Sequence, residues 1–250
     1  MFNSLFIRTI GFILIVYLTL TLILFVTQRK LLYFPDRYLP TEELVKAKGL
    51  KYWVAPDNNY RGLISQQPQN NAKGTIIVFH GNKGTALDRS YYADALVPLG
   101  YRVLLAEYPG YGGREGQPSE LVLVNDARKT IKLIHQAYGN PIYVWGESLG
   151  SGVTASTVAD PNLPVAGIVL ITPWDSLSNL AQIAYPFFPV KWIVLDKFNN
   201  VKNLKSFKGN IALLIAGKDT VVPAKLAKNL DRSLPNNNKK LWFLADAGHN

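Results

Sequence analysis

PIYVWGESLGSGVTASTVA, from Pro141 to Ala159, decides how the rest of the chain is read. Its first five residues are a β-rich apolar run, GESLGSG follows from Gly146 to Gly152, and a helix continues through VTASTVA. This is G-x-S-x-G in a strand, turn and helix setting. Such a turn forces Ser148 into a strained backbone conformation with its hydroxyl above the sheet, and glycines at Gly146 and Gly150 remove the side chains that would collide around it. The bland alternative is a small-residue turn packing a helix on a strand; the context favours a nucleophile.

A serine hydroxyl is a weak nucleophile near neutral pH and needs a base within hydrogen-bond reach. His80, His135 and His249 are the three histidines. His135 lies beside the apolar stripe of a helix and reads as structural. His80 ends the run TIIVF in FHGNKG, where the glycine lets backbone N–H groups turn inward. One oxyanion donor is expected there, from Asn82, with Leu149 just after the serine supplying the other. Elimination leaves His249, in the terminal AGHN, as base. Its carboxylate partner is Asp219 in AGKDTVVP, with Asp175 in TPWDSL as the alternative; Asp246 is too near His249 in sequence to partner it across a turn. With Asp219 the chain order is Ser148, Asp219, His249.

The surrounding pattern is regular. TIIVF (75–79), YRVLLAE (101–107), PIYVW (141–145), AGIVLI (166–171), IALLIA (211–216) and KLWFLA (240–245) are short runs, mostly apolar on both faces, as in a covered parallel sheet. QQPQNNAKG (66–74) reads as a polar turn between two early strands. Between the later strands lie helices. The clearest spans Ser119 to Tyr138, with Val124, Ala127, Ile131 and Ile134 on one stripe, Pro118 and Ser119 at its start and Gly139 past its end. AKLAKNLDRSL after Pro223 reads the same way. Alternating strands and helices imply an α/β, doubly wound, mostly parallel sheet.

At the other end, IGFILIVYLTLTLILFV, from Ile10 to Val26, carries no charge and is long enough to cross a bilayer as a helix. TQRKLLYF follows it, without the small-residue cleavage pattern of a signal peptide, so residues 1–30 read as an uncleaved single-pass anchor rather than a removed leader. Arg8 lies before the run and Arg29, Lys30 and Arg37 after it, which leaves the side of the catalytic domain open. Arg8 is also the only charged side chain before Gln28, so +9 of the net charge of +10 belongs to the rest of the chain. Its late lysines read as a solvated surface, with anionic lipid headgroups as an alternative use. Nucleic-acid binding is not expected, because the basic residues are spread and no recognition module is present. The absence of cysteine excludes a disulfide framework, a thiolate-bound metal and a cysteine nucleophile.

The anchor followed by QRKLLYFPD, FHGNKG, EYPGYGGREGQPSE, GESLGSG, TPWDSL, IAGKDTVVP and AGHN together resemble the α/β-hydrolases, and more narrowly their membrane-anchored, bem46-like serine hydrolase branch. The resemblance implies an α/β-hydrolase fold over 31–250, Ser148, Asp219 and His249 as catalytic residues, Asn82 and Leu149 as oxyanion hole, and no cofactor or metal. It implies a short cap over about 176–210, where Pro186 and Pro189 interrupt any helix and Tyr185, Phe187, Phe188 and Trp192 line an acyl pocket, touch the bilayer or pack on the sheet. A shallow cap suited to small or medium acyl groups is the expectation. GGREG departs from many relatives and puts Arg114 and Glu115 near the pocket rim. Relatives carry a last helix after the histidine, and both faces of KLWFLA ask for cover, so a chain truncated after Asn250 is expected. The expected function is cleavage of a small or lipid-like carboxylic ester or thioester, with peptidase, acyltransferase and non-catalytic scaffold as alternatives.

Overall fold

Residues 2–68, 71–235 and 237–249 are described by a computed structural model. In chain order the elements are α1 (Phe2–Leu32), β1 (Phe34–Pro35), α2 (Glu42–Ala47), β2 (Leu50–Val54), β3 (Tyr60–Ser65), β4 (Thr75–Phe79), β5 (Lys83–Gly84) and α3 (Ser90–Leu96). They continue with β6 (Arg102–Ala106), α4 (Glu120–Tyr138), β7 (Ile142–Glu147), α5 (Leu149–Thr157), β8 (Gly167–Ile171), α6 (Leu177–Ala184), α7 (Val190–Ile193) and α8 (Asn200–Asn203). The chain closes with β9 (Asn210–Ala216), α9 (Ala224–Ser233) and β10 (Lys239–Leu244).

The apolar runs pair as one eight-stranded sheet in the order β10-β9-β8-β7-β4-β6-β3-β2. From β10 to β6 every pairing is parallel; β3 runs antiparallel to β6 and to β2. Every residue of β4 and β6 is buried, which is why their sequences show no alternation. Two cores result. Ile77, Leu104 and Val144 face α4, α5 and α9, while Ile76, Val78, Val103 and Leu105 face α2 and α3. Each such side chain, fully removed from water, contributes about 1.5–3 kcal/mol.

Local signals set the ends of α4. Ser119 accepts from the Val122 N–H at 3.3 Å, and Gly139 closes the helix at φ 71°, a conformation costly for a residue with a Cβ. The polar segment 66–74 joins β3 to β4, but its residues 69 and 70 lie outside the described residues, and β6 lies between the two strands it connects. Asn250, the last residue of AGHN, is likewise outside them. β10 is an edge strand, with Leu241, Trp242, Phe243 and Leu244 all exposed.

α1 runs two residues past the expected boundary at 30, and its stretch Ser4–Leu32 is long and apolar enough to cross a membrane. It is also fastened to the globular part. Arg29 pairs with Asp196 at 3.0 Å, Tyr33 donates to the same carboxylate at 3.1 Å, and Gln28 Oε1 accepts from the Leu195 N–H at 2.7 Å. Pro186 and Pro189 fall between α6 and α7 and split the segment over 176–210 into short helices.

Candidate active site

The parallel strands all end at one edge of the sheet, and the loops after β4, β7, β9 and β10 converge there. Ser148 sits between β7 and α5 at φ 51° and ψ −112°, a region L residues avoid at a cost of about 1–3 kcal/mol. Tight packing imposes this geometry. A Cβ on Gly150 would lie 1.9 Å from the Phe79 carbonyl oxygen, and one on Gly146 would lie 2.2 Å from that of Gly150. Only glycine lets α5 come this close to β4 and β7, and every residue of α5 is buried as a result.

The Ser148 hydroxyl, on a residue only 8% exposed, lies 3.0 Å from His249 Nε2. His249 Nδ1 lies 2.7 Å from Asp219 Oδ2. The Asp219 side chain is buried, and its other oxygen accepts from the N–H groups of Val221 at 2.8 Å and Val222 at 2.7 Å. With Oδ1 held by two amides, Oδ2 is aimed at the imidazole. The alternative acids are engaged elsewhere. Asp175 accepts from the Ser176 N–H and from Asn229, and Asp246 is exposed and paired with Lys218.

Asn82 lines the same pocket as Ser148 and His249, which has a volume of about 390 Å³ and also holds Lys83, Arg89, Glu147 and Val221. Gly81 brings the 80–84 loop against the serine; a Cβ there would be 3.7 Å from that of Ser148. Side-chain and carbonyl contacts pin Asn82. Its amide donates to the Leu32 carbonyl at 2.8 Å, and its own carbonyl accepts from Phe34 and from the Tyr111 hydroxyl. Leu149 is buried at the first position of α5, where helix N–H groups have no intrahelical acceptor.

Two polar networks around the serine escaped the sequence reading. His80 is buried, with Nδ1 2.7 Å from the Gly81 carbonyl and Nε2 3.1 Å from Glu107 Oε1. A carbonyl only accepts, so the Nδ1 contact is one in which the imidazole donates. Glu107 Oε2 takes the Ala86 N–H at 2.9 Å, so this pair ties the 80–86 loop to β6. The second network centres on Glu147, the variable residue before the serine. Arg89 reaches it at 2.9 Å, and the hydroxyls of Tyr91 and Tyr92 donate to it at 2.9 and 3.2 Å. Burial pushes its carboxyl up, but the Arg89 guanidinium and the two phenols outweigh burial and hold it below the usual carboxylate range. Burial beside that carboxylate pushes both phenols above their usual value. Arg114, expected at the pocket rim, instead makes a double contact with Asp126 of α4 at 2.7 Å and fixes its own loop. Its rigid fork matches a carboxylate, and Asp126 supplies one.

Comparisons with known proteins bear on the family and the fold. Residues 70–201 match the family described as Serine aminopeptidase, S33. The Mycobacterium tuberculosis protein Rv2307c is 31% identical over 229 residues, covering 89% of this chain and 80% of its own. The lysophosphatidylserine lipase ABHD12 of Gallus gallus is 33% identical over 174 residues, but the match covers only 46% of that longer protein and 62% of this chain. Among solved structures, the esterase Pf2001 of Pyrococcus furiosus superposes with a TM-score of 0.65 at 20% identity, over 87% of this chain and 89% of that one. An esterase from Exiguobacterium antarcticum gives 0.59 at 14% identity, over 80% and 92%. At such identities the two structures speak for the fold.

Proposed function

We propose, from the premise that this chain belongs to the serine aminopeptidase S33 family of α/β-hydrolases and is a hydrolase of the esterase and lipase kind, that it is a membrane-anchored serine hydrolase cleaving carboxylic esters through an acyl-enzyme. The observation that carries the mechanism is the line Ser148 Oγ, His249 Nε2, His249 Nδ1, Asp219 Oδ2, with steps of 3.0 and 2.7 Å at its two hydrogen bonds. Ser148 Oγ attacks the ester carbonyl as His249 Nε2 takes its proton. Asp219 holds the imidazole in the tautomer that leaves Nε2 free to accept, and stabilises the cation that forms. The backbone N–H groups of Asn82 and Leu149 receive the oxyanion. Collapse breaks the bond to the alcohol, which leaves with the proton from His249. Water, deprotonated by the same nitrogen, then cleaves the acyl-enzyme and regenerates Ser148.

Occupied carboxylates favour an ester over the free amino terminus of a peptide. An aminopeptidase needs a carboxylate free to bind the substrate ammonium. The acidic residues at the pocket, Glu147 and Asp88, are held by Arg89 with two phenols and by the Thr85 N–H at 2.7 Å, respectively. Anchoring is supported by α1, whose charge-free run Ile10–Val26 leads directly into the domain.

The test uses the full chain in membranes with a fluorophosphonate probe. Labelling that disappears in Ser148→Ala, together with faster hydrolysis of acyl esters than of aminoacyl arylamides, is the expected result. A folded chain that takes no label overturns the acyl-enzyme; arylamides cleaved faster than esters overturn the ester preference.

A further inference from the structure

Resting on the hydrolase reading above, we infer that the α6–α7 hairpin of the cap is a second membrane-embedded element, and that the groove between it and α1 is a lateral port through which a single acyl chain passes from the bilayer to Ser148.

The groove has a volume of about 290 Å³ and is walled on one side by Leu24, Leu31 and Leu32 of α1 and on the other by Leu180 and Ala184 of α6 and Ile193 of α7. Val221 lines both this groove and the pocket of Ser148 and His249, so the two cavities share a wall. Its size is near the lower limit of small-molecule sites, which suits one alkyl chain rather than two. The anchor is therefore part of the site. A helix serving only as a tether has no need of the Arg29–Asp196 pair, or of Gln28 bonded to Leu195, and Gln28, Arg29 and Asp196 all line the groove.

Depth follows from the contacts along α1. Tyr17 stacks on Phe188 at 5.6 Å between centroids, and Gln28 meets the far end of α7. Along a helix the separation of those two residues is roughly 16 Å, about half of a bilayer's hydrocarbon core. The cap tip thus reaches the middle of the charge-free run Ile10–Val26.

The tip is built for a medium that donates no hydrogen bonds. Between α6 and α7 the chain is irregular, yet four consecutive carbonyls are satisfied within the protein. The Phe188 N–H serves that of Tyr185 at 3.2 Å, the two hydrogens of Gln182 Nε2 serve those of Pro186 and Phe188 at 3.2 and 3.1 Å, and the Tyr17 hydroxyl serves that of Phe187 at 3.2 Å. In water such carbonyls need no protein donor; in lipid an unpaired one costs several kcal/mol. The side chains around them are the opposite of a soluble surface, with Phe187 85% and Trp192 87% exposed. Lys191 is the one charge from Gln182 to Ile193, and its long stem can carry the ammonium to the headgroups.

Two experiments on the full chain in phosphatidylcholine vesicles test this. Brominated acyl chains should quench a tryptophan component that vanishes in Trp192→Phe; equal quenching in wild type and variant overturns the insertion. A dodecyl fluorophosphonate with a terminal diazirine should phosphonylate Ser148 and, on photolysis, cross-link to α1 between Leu24 and Leu32. Cross-links confined to the Lys83–Arg89 wall overturn the port while leaving the hydrolase intact, whereas a folded wild type that takes no label overturns the hydrolase reading and the port together. Leu24→Trp and Ala184→Trp, which narrow the groove from opposite walls, should each lower the ratio of dodecanoyl to acetyl ester turnover at least about tenfold; an unchanged ratio in both overturns the port.

Discussion

Around Ser148 almost every atom is held by a specific partner. Its backbone is forced into an unfavourable conformation by glycines that leave no room for a methyl group, its neighbour Glu147 is held by three side chains, and the Asp219 carboxylate is aimed by two amides. The groove between α1 and the cap, which shares Val221 with that pocket, has mostly aliphatic walls, and the cap that forms one of them carries the exposed rings of Phe187 and Trp192. The first region gains its precision from hydrogen bonds and steric exclusion, so single atoms matter. The second gains affinity from removing apolar surface from water, a non-directional force roughly proportional to area, so shape matters more than identity. One molecule thus joins a site intolerant of change to a surface tolerant of it, and substitutions should separate the two by magnitude.

The largest effects belong to the reacting line. Ser148→Ala and His249→Ala should each lower kcat by about 10⁴–10⁶, and the double variant should be no slower than the worse single, because residues acting as a unit are not additive. Asp219→Asn keeps the shape but stabilises the wrong tautomer and should cost about 10⁴ in kcat. Asp246→Asn, at the exposed carboxylate beside Lys218, should leave the rate within about twofold. Ester hydrolysis by the five purified variants checks these outcomes, and equal losses at Asp219 and Asp246 would break the assignment.

Next comes packing. Gly150→Ala brings a Cβ to 1.9 Å from backbone that has nowhere to go, and should destabilise by more than about 4 kcal/mol, seen as loss of a cooperative thermal transition. A stable, active Gly150→Ala protein would mean that α5 does not press on β4 as described.

Glu147→Gln sits lower on the scale, and its effect depends on pH. Arg89 and Glu147 are both largely buried, so removing the anion should cost about 2–3 kcal/mol at neutral pH. Because the folded carboxyl is held below the usual range near pH 4.3, its contribution is fully present above that value and is lost as pH falls through the lower folded value. Denaturant midpoints of wild type and variant should therefore differ at pH 7 and converge below about pH 4. A gap independent of pH would assign the stability to packing instead of charge.

The same contrast explains what could be read from the sequence. Strands β4, β6, β7, β8, β9 and β10 are contiguous apolar runs, and the serine turn, FHGNKG, AGKDTVVP and AGHN are local motifs whose order along the chain implies their meeting point. The sequence favours Asp219 over Asp175 although both follow strands; in the structure Asp175 is engaged by Asn229 and the Ser176 N–H, while Asp219 lies 2.7 Å from His249. Arg89, Tyr91 and Tyr92 meet Glu147 from more than fifty residues away, and Arg29 meets Asp196 from 167. No periodicity announces such pairs. Nor does the cap's own sequence announce that α1 supplies one wall of the groove beside it.

The smallest effects should lie at the cap tip, and there the surroundings decide. Phe187→Ser removes an 85% exposed ring and breaks no bond of its carbonyl, which Tyr17 holds through the backbone. In detergent-free buffer with a short water-soluble ester, the change should shift stability by no more than about 0.5 kcal/mol. In vesicles the same ring is expected to lie in hydrocarbon, where its loss costs apolar contact at about 25 cal/mol per Å². Release of a proteolytically freed globular part from vesicles should then require less salt or detergent than in the wild type. Identical release would show that the exposed aromatics face water and that α1 alone holds the protein to the bilayer.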